Sequence, residues 1–209
     1  MMDNALIMFI KNPVKGKVKT RLAATIGDDM ALEIYQKLIR HTLNIVEDVA
    51  ADKFIFFSDT VDESIGYENT PVHKVVQSGN DLGEKMKNAF ELLFKTGYKR
   101  VTIIGTDCPG ITANILEGAF SKLNNSDVVI GPAIDGGYYL LGIKEIHNDL
   151  FEKIAWSTST VLHSTIERCN TNNLSYSLLS ALSDVDEEED LVHLDNMLDL
   201  KNQKADQYD

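Results

Sequence analysis

ALIMFI followed by KNPVKGKVKTRL, residues 5–22, sets the expectation for the fold. Residues 5–10 form a continuous apolar run of strand length, bounded by Asn4 and the Asn12-Pro13 turn signal. Such a run, without polar alternation, reads as a strand buried on both faces. A burst of charge around one glycine follows it. Lys11, Lys15, Lys17, Lys19 and Arg21 are five of the chain's 20 cations, crowded into twelve positions of a protein whose formal net charge is -12. In an open α/β sheet, ligands bind beyond the carboxyl ends of the strands, so a loop beginning at Lys11 stands where a site is expected. Gly16 lets main-chain N–H groups approach an anion closely, and Lys19 and Arg21 can donate charge-assisted hydrogen bonds. Each such bond is worth about 1.5 to 3 kcal/mol, so roughly three or four would hold a nucleotide diphosphate despite the global charge. The competing reading is a solvated turn whose lysines keep a loop soluble. Two familiar phosphate motifs are excluded. Gly16-Lys17 is followed by Val18 and lacks the earlier glycine of Walker A, and no G-x-G-x-x-G is present.

Working outward, strands and helices alternate. Met30, Ile34, Leu38, Ile45 and Val49 recur at spacings of four or seven and predict a helix over 28–49, with Asp28 or Asp29 as its cap carboxylate. Short apolar or β-branched strands are expected at 53–57 and 72–76. Leu82, Met86, Ala89, Phe90 and Leu93 mark a second amphipathic helix, capped by Asn80 or Asp81 and closed by Gly97. A buried strand at 101–104 precedes a helix starting at Thr112, with Ile115, Leu116, Ala119 and Phe120 inward. Strands at 127–130 and 138–143, a helix over 157–169, a strand within 174–182 and a last helix over 187–198 complete the order. The expectation is an α/β layered fold with a largely parallel central sheet flanked by helices. With no repeat and no linker-like stretch, residues 1–200 read as one domain and 201–209 as a polar tail.

Composition narrows the classes of function. Hydrophobic residues make up 44% and charged residues 25%, close to ordinary globular usage. No apolar run approaches the roughly 18 residues needed to cross a bilayer, and the amino-terminal run lacks a basic flank and a cleavage site, so a cytoplasmic protein is expected. Cys108 and Cys169 stand far apart without zinc-type spacing, which predicts two reduced thiols. The negative charge argues against nucleic acid as a partner. A basic island in an acidic surface suits one small anion and excludes large polyanions.

Gly105-Thr106-Asp107-Cys108-Pro109-Gly110 follows a buried strand directly, so Asp107 falls at another carboxyl-end tip. A carboxylate there can hold Mg²⁺ or Mn²⁺, hard cations that often use one or two carboxylates plus substrate phosphates. It equally suits the cap of a turn before Pro109. Cys108 is disfavoured as a nucleophile because no histidine lies near it in sequence. Asp135-Gly136-Gly137 serves hairpin geometry whether or not anything binds, although paired glycines also let a substrate approach the backbone. Tyr138 and Tyr139 point to opposite faces of a strand, so at most one faces a ligand. Asp184-Val185-Asp186-Glu187-Glu188-Glu189-Asp190 suits metal binding by Asp184 or Asp186, but Asp186 with Glu189 also reads as a capping box at a helix start. The five histidines are scattered.

Taken in order, PVKGKVKTRL, QSGNDLGEKM, GTDCP, GPAIDGGYYLLG and DVDEEEDL resemble a bacterial family of glycosyltransferase-like proteins, long described as a domain of unknown function, over residues 4–198. That family is placed in the nucleotide-diphospho-sugar transferase superfamily, with the GT-A fold and its mixed seven-stranded sheet. The chain is also similar to 2-phospholactate guanylyltransferase, whose basic loop has a comparable K-x-R-L ending. The resemblance implies that Lys19 and Arg21 contact donor phosphates, that Asp107 holds the divalent metal and that Asp186 is the distal metal-side carboxylate. Many GT-A enzymes carry Asp-x-Asp at the strand end, but Gly105 occupies the first of those positions here. A second protein ligand therefore comes from elsewhere, with Asp186 and Asp135 as candidates, or water replaces it.

The candidate site comprises Lys19, Arg21 and Asp135 as catalytic residues, Asp135 as the candidate general base. Lys11, Pro13, Gly16, Lys17, Asp81, Gly136, Gly137 and Tyr138 are the substrate-binding candidates, and Asp107 and Asp186 the metal ligands. Three functions remain open. Glycosyl transfer from a nucleotide sugar to a small acceptor, with Mg²⁺ or Mn²⁺, leads. Nucleotidyl transfer from an NTP to a phosphorylated small molecule, releasing pyrophosphate, needs the same cradle. A nucleotide sensor without turnover is the third.

Overall fold

The chain leaves its first strand, β1 (Asn4–Ile10), through the basic loop and enters a helix that periodicity did not predict, α1 (Thr20–Ile26). This computed structural model describes residues 3–194. Then come α2 (Asp28–Glu47), β2 (Asp52–Phe57), β3 (Val72–Val76), α3 (Leu82–Lys95), β4 (Arg100–Ile104) and α4 (Ala113–Lys122). The hairpin of β5 (Val128–Pro132) and β6 (Tyr138–Ile143) follows, then α5 (Val161–Thr171) and β7 (Tyr176–Leu178). They build one seven-stranded sheet in the order β3-β2-β1-β4-β6-β5-β7. β1 pairs in parallel with both β2 and β4, while β6 runs antiparallel to β4 and β5.

The reading of 5–10 as a doubly buried strand follows directly from that central place. Leu6, Met8 and Ile10 point to a core shared with Tyr35, Ile39 and Leu43 of α2 and Leu116 and Phe120 of α4. Ala5 and Ile7 point to the opposite core with Met86, Phe90 and Leu93 of α3. Alternation along a strand thus feeds two apolar layers, and the strand needs no polar face. A smaller cluster of Leu22, Ile34, Leu38, Val185 and Leu194 fastens α1 and α2 to the carboxyl-terminal segment. Strand order reverses between β1 and β4, because the chain runs from β1 outward to β2 and β3 and returns on the other side. The carboxyl ends of β1 and β4 therefore flank a topological switch point.

Several local expectations are corrected. α1 has only seven residues, too few for a helical period to register, and buries Leu22 alone. α2 is capped by Gly27 with φ 84° rather than by a carboxylate; Asp28 and Asp29 lie in its first turn, where they suit the helix dipole. Met30 and Leu82, counted as inward, are exposed, since each lies in the first turn of its helix. α5 begins at Val161, not at 157, because Ser157 takes a positive φ and Thr158 Oγ1 donates to the Ala155 carbonyl, closing a turn first. The strand within 174–182 shortens to β7 plus one isolated pairing of Leu182 with Ala133. The capping box near 186 is displaced by one residue: Glu187 and Asp190 form it, which leaves the Asp186 carboxylate for other partners. A short 3-10 turn and helical residues 191–194 follow; the rest of the helix expected to 198, and the tail 201–209, lie outside the described residues.

Candidate active site

The basic loop is held from below by two polar side chains. Tyr35 of α2 accepts from the Lys11 N–H at 2.9 Å and donates to the Lys11 carbonyl at 3.1 Å, fixing the exit from β1. Asn12 is the second hub. Its Oδ1 accepts from Ser58 Oγ and the Asp59 N–H, and its Nδ2 donates to the Thr60 carbonyl, tying the loop to the end of β2. Val18 is buried in the core, and Lys19, with φ 48° and ψ 44°, is the left-handed cap residue of α1. A non-glycine residue in that conformation costs of order 1 to 3 kcal/mol and persists where surrounding contacts demand it.

The Lys19 side chain forms two ion pairs. Lys19 Nζ lies 2.6 Å from Asp107 Oδ1 and 3.0 Å from Asp186 Oδ1, and its side chain is 4% exposed. Arg21 Nη1 approaches Asp186 Oδ2 at 3.7 Å with its side chain 70% exposed. Asp107 comes off the end of β4, and its carbonyl accepts from the Val185 N–H at 3.0 Å, which seats the 184–186 segment on the β4 loop. Asp186 is positioned in turn by its own N–H, which donates to Asp190 Oδ2. Burial works to lower the Lys19 pKa, but the charges of Asp107 and then Asp186 more than offset it, so the ammonium is held charged. Two lysine and arginine charges thus face two carboxylates at the switch point.

The remaining acids form the same wall. Asp135 is exposed at the β5–β6 turn, and its Oδ1 accepts from the Gly137 N–H at 2.8 Å. Burial, and next the charge on Asp135, push the Asp184 carboxyl upward. Cys108 is buried beside this wall, and burial first, then Asp184 and Asp107, push its thiol far up, which suits a core residue and not a nucleophile.

The donor set fits a hard divalent cation. Asp107 Oδ1 is buried against the Lys19 ammonium at 2.6 Å, while the Asp107 side chain as a whole is half exposed. The candidate ligands are oxygens only. Among the described residues, no group of three or more His, Cys, Asp or Glu is arranged to cage a metal. A cation that keeps waters and shares substrate phosphates suits two carboxylates; a closed zinc cage does not.

The structure gathers Lys19, Arg21, Asp107 and Asp186, with Asp135 electrostatically linked to the cluster through Asp184. It uses other candidates differently. Gly16 has φ 75°, but its open side faces the Asp28 carboxylate, and Lys15 pairs with Asp29 at 2.7 Å. That half of the loop is neutralised by α2. Lys11 and Lys17 are exposed and Pro13 partly so. Asp81 caps α3, its Oδ1 accepting from the Glu84 N–H. Gly136 has φ 91°, and a side chain there would collide with the Ser159 backbone, so packing fills the space offered to a substrate. A Cβ on Gly137 would meet the Asp135 carboxylate instead. Tyr138 packs against the α3 core with its hydroxyl 3.9 Å from Met86 Sδ, and Tyr139 is buried on the other face, its hydroxyl donating to the Ser180 carbonyl. Neither ring needs a ligand. Sequence reasoning missed Tyr35 and Asn12 as loop supports; the only signals were an aromatic within the apolar stripe of α2 and an Asn read simply as a turn former.

Residues 42–158 match a family model described as "Uncharacterized protein conserved in bacteria (DUF2064)". No curated protein matches the chain. Among solved structures, a provisionally named nucleotide-diphospho-sugar transferase from Desulfovibrio desulfuricans G20 is 29% identical, with a TM-score of 0.86 over 100% of this chain and 99% of that one. CMP:2-keto-3-deoxy-manno-octonic acid synthetase, solved with CTP, is 9% identical, with a TM-score of 0.58 over 95% and 99%. Rv0371c of Mycobacterium tuberculosis H37Rv, solved with manganese, is 10% identical, with a TM-score of 0.54 over 91% and 96%. At such identities the last two bear on the fold alone.

Proposed function

The chain belongs to that bacterial family, and we propose that it is a metal-dependent transferase that moves a glycosyl group from a nucleotide-diphosphate sugar to a small acceptor. Its fold is that of the nucleotide-diphospho-sugar transferases, a superfamily of enzymes. The observation that carries the reading is the meeting of Lys19 and Arg21 with Asp107 and Asp186 at the β1–β4 switch point.

Negative charge grows on the departing diphosphate as its bond to the sugar breaks, and cations already in place lower that barrier. Arg21, exposed and weakly tied to Asp186, is free to turn its fork to a phosphate, while Lys19 supplies a charge from the floor of the site. Asp107 and Asp186 would hold Mg²⁺ or Mn²⁺, which when bound supplies further neutralisation of the leaving group. Asp135 is the candidate base for the acceptor hydroxyl, with one carboxylate oxygen committed to its own turn and the other left for the proton.

The cation density favours a second reading. Lys11 and Lys17 of the basic loop add exposed charge to Arg21 in the first turn of α1, more than a leaving diphosphate requires and suited to a triphosphate. In nucleotidyl transfer an acceptor phosphate oxygen attacks the α-phosphorus of an NTP and pyrophosphate leaves. The test is incubation with panels of nucleotide sugars and NTPs plus Mg²⁺ or Mn²⁺, scoring free NDP and pyrophosphate separately. NDP release that depends on an acceptor hydroxyl is expected; pyrophosphate release that depends on an acceptor phosphate moves the assignment to nucleotidyl transfer. Membrane insertion has no helical support, since no helix among the described residues is long and apolar enough to cross.

A further inference from the structure

We propose that Lys19 is an internal counter-ion that closes the Asp107–Asp186 pair to a bare divalent cation and yields it only when a diphosphate arrives. Metal and phosphate then bind together, each promoting the other. This rests on the reading that the two carboxylates hold the cation. The ammonium takes one oxygen of each carboxylate, at 2.6 and 3.0 Å. It is sequestered at 4% exposure, whereas Asp107 and Asp186 are 47% and 39% exposed. The pair is therefore open to solvent but already compensated from beneath.

Charge balance gives the consequence. Lys19 and Arg21 offset the charge of Asp107 and Asp186, so a lone dication entering between that pair meets two fixed cations as well as two anions, with the further acids Asp184 and Asp135 beside them. Like charges a few ångströms apart repel strongly where water is partly excluded. A diphosphate brings the missing negative charge and gives the lysine and arginine a new partner. Lys19 carries its charge on a flexible four-carbon stem, so the ammonium can turn from the carboxylates to a phosphate without a change of backbone. Coupling between two ligands that act through one switching group is reciprocal and falls in the range of about 5- to 150-fold.

Equilibrium dialysis of the full chain against MnCl₂, with and without pyrophosphate in both chambers, tests the lock. The wild-type chain is expected to retain Mn²⁺ at least about tenfold more weakly without pyrophosphate than with it. Lys19→Met is expected to bind Mn²⁺ alone at least about tenfold more tightly than wild type, with little further gain from pyrophosphate. Lys19→Gln provides a second variant, and circular dichroism checks that both are folded. Equal Mn²⁺ affinity of wild type and both folded variants, or a wild type indifferent to pyrophosphate, overturns the lock and leaves the metal reading standing. Retention of no Mn²⁺ by any form, with or without pyrophosphate, overturns the metal reading and the lock together.

Discussion

Lys19 and Arg21 sit two positions apart and play different parts. Lys19 is buried in ion pairs, so its removal strands two carboxylates. Arg21 is 70% exposed and its 3.7 Å pair with Asp186 is a surface contact worth about 0 to 1 kcal/mol. Arg21→Ala should therefore leave stability within about 0.5 kcal/mol of wild type. It should weaken binding of a nucleoside diphosphate by about 1.5 to 3 kcal/mol, the scale of one hydrogen bond to a charged group. Calorimetric titration beside a thermal melt separates the two, and an unchanged affinity would remove Arg21 from the site. The identities of both residues were legible because a cation cluster after an apolar strand has a physical reading. Their division of labour was not. It depends on Asp186, 167 positions from Lys19 in the chain, and no local pattern encodes a contact at that separation.

At the scale of elements, two junctions make predictions. Asp127, just before β5, accepts from the Ser175 hydroxyl and N–H before β7 and pairs with Lys144 at 3.1 Å. The Ser175 hydroxyl first, then its N–H, hold the Asp127 carboxyl down at about 2, against an ordinary value of 3.8. A carboxyl with a depressed folded pKa adds stability above its unfolded value and loses it as pH falls through the folded one. Asp127→Asn should accordingly cost about 1 kcal/mol at neutral pH once solvent screening is allowed for. The difference should close between about pH 4 and pH 2, and denaturant melts at both ends check it; a gap that persists at pH 2 would assign the cost to packing. Gly136 in the β5–β6 turn combines a positive φ with the Ser159 backbone pressed against it. Gly136→Ala should destabilise by about 1 to 3 kcal/mol or more, whereas Gly97→Ala, equally positive in φ but open around its Cα, should lose only the conformational part. Equal losses would show that Ser159 gives way. The glycine pair was legible as a turn, but the loop that fills the space beside it is a tertiary fact.

For the whole molecule, a parallel sheet buried on both faces writes itself into sequence as unbroken apolar runs, which is why β1, β2 and β4 could be read at once. Strand order could not, because apolar runs do not name their neighbours. The switch point between β1 and β4, where the two halves of the site meet, is a property of that order. Lys19 and Arg21 stand at this switch point in a chain whose net charge of -12 discourages polyanions. The proposed site requires metal and phosphate to bind side by side at Asp107, Asp186, Lys19 and Arg21. The measurement that tests it most directly is the affinity of the wild type and Asp107→Asn for ADP, CDP, GDP and UDP, with and without Mg²⁺, by calorimetry. For at least one of them, Mg²⁺ should strengthen wild-type binding by about tenfold or more and leave Asp107→Asn unimproved. The same Mg²⁺ gain in both proteins would contradict the account.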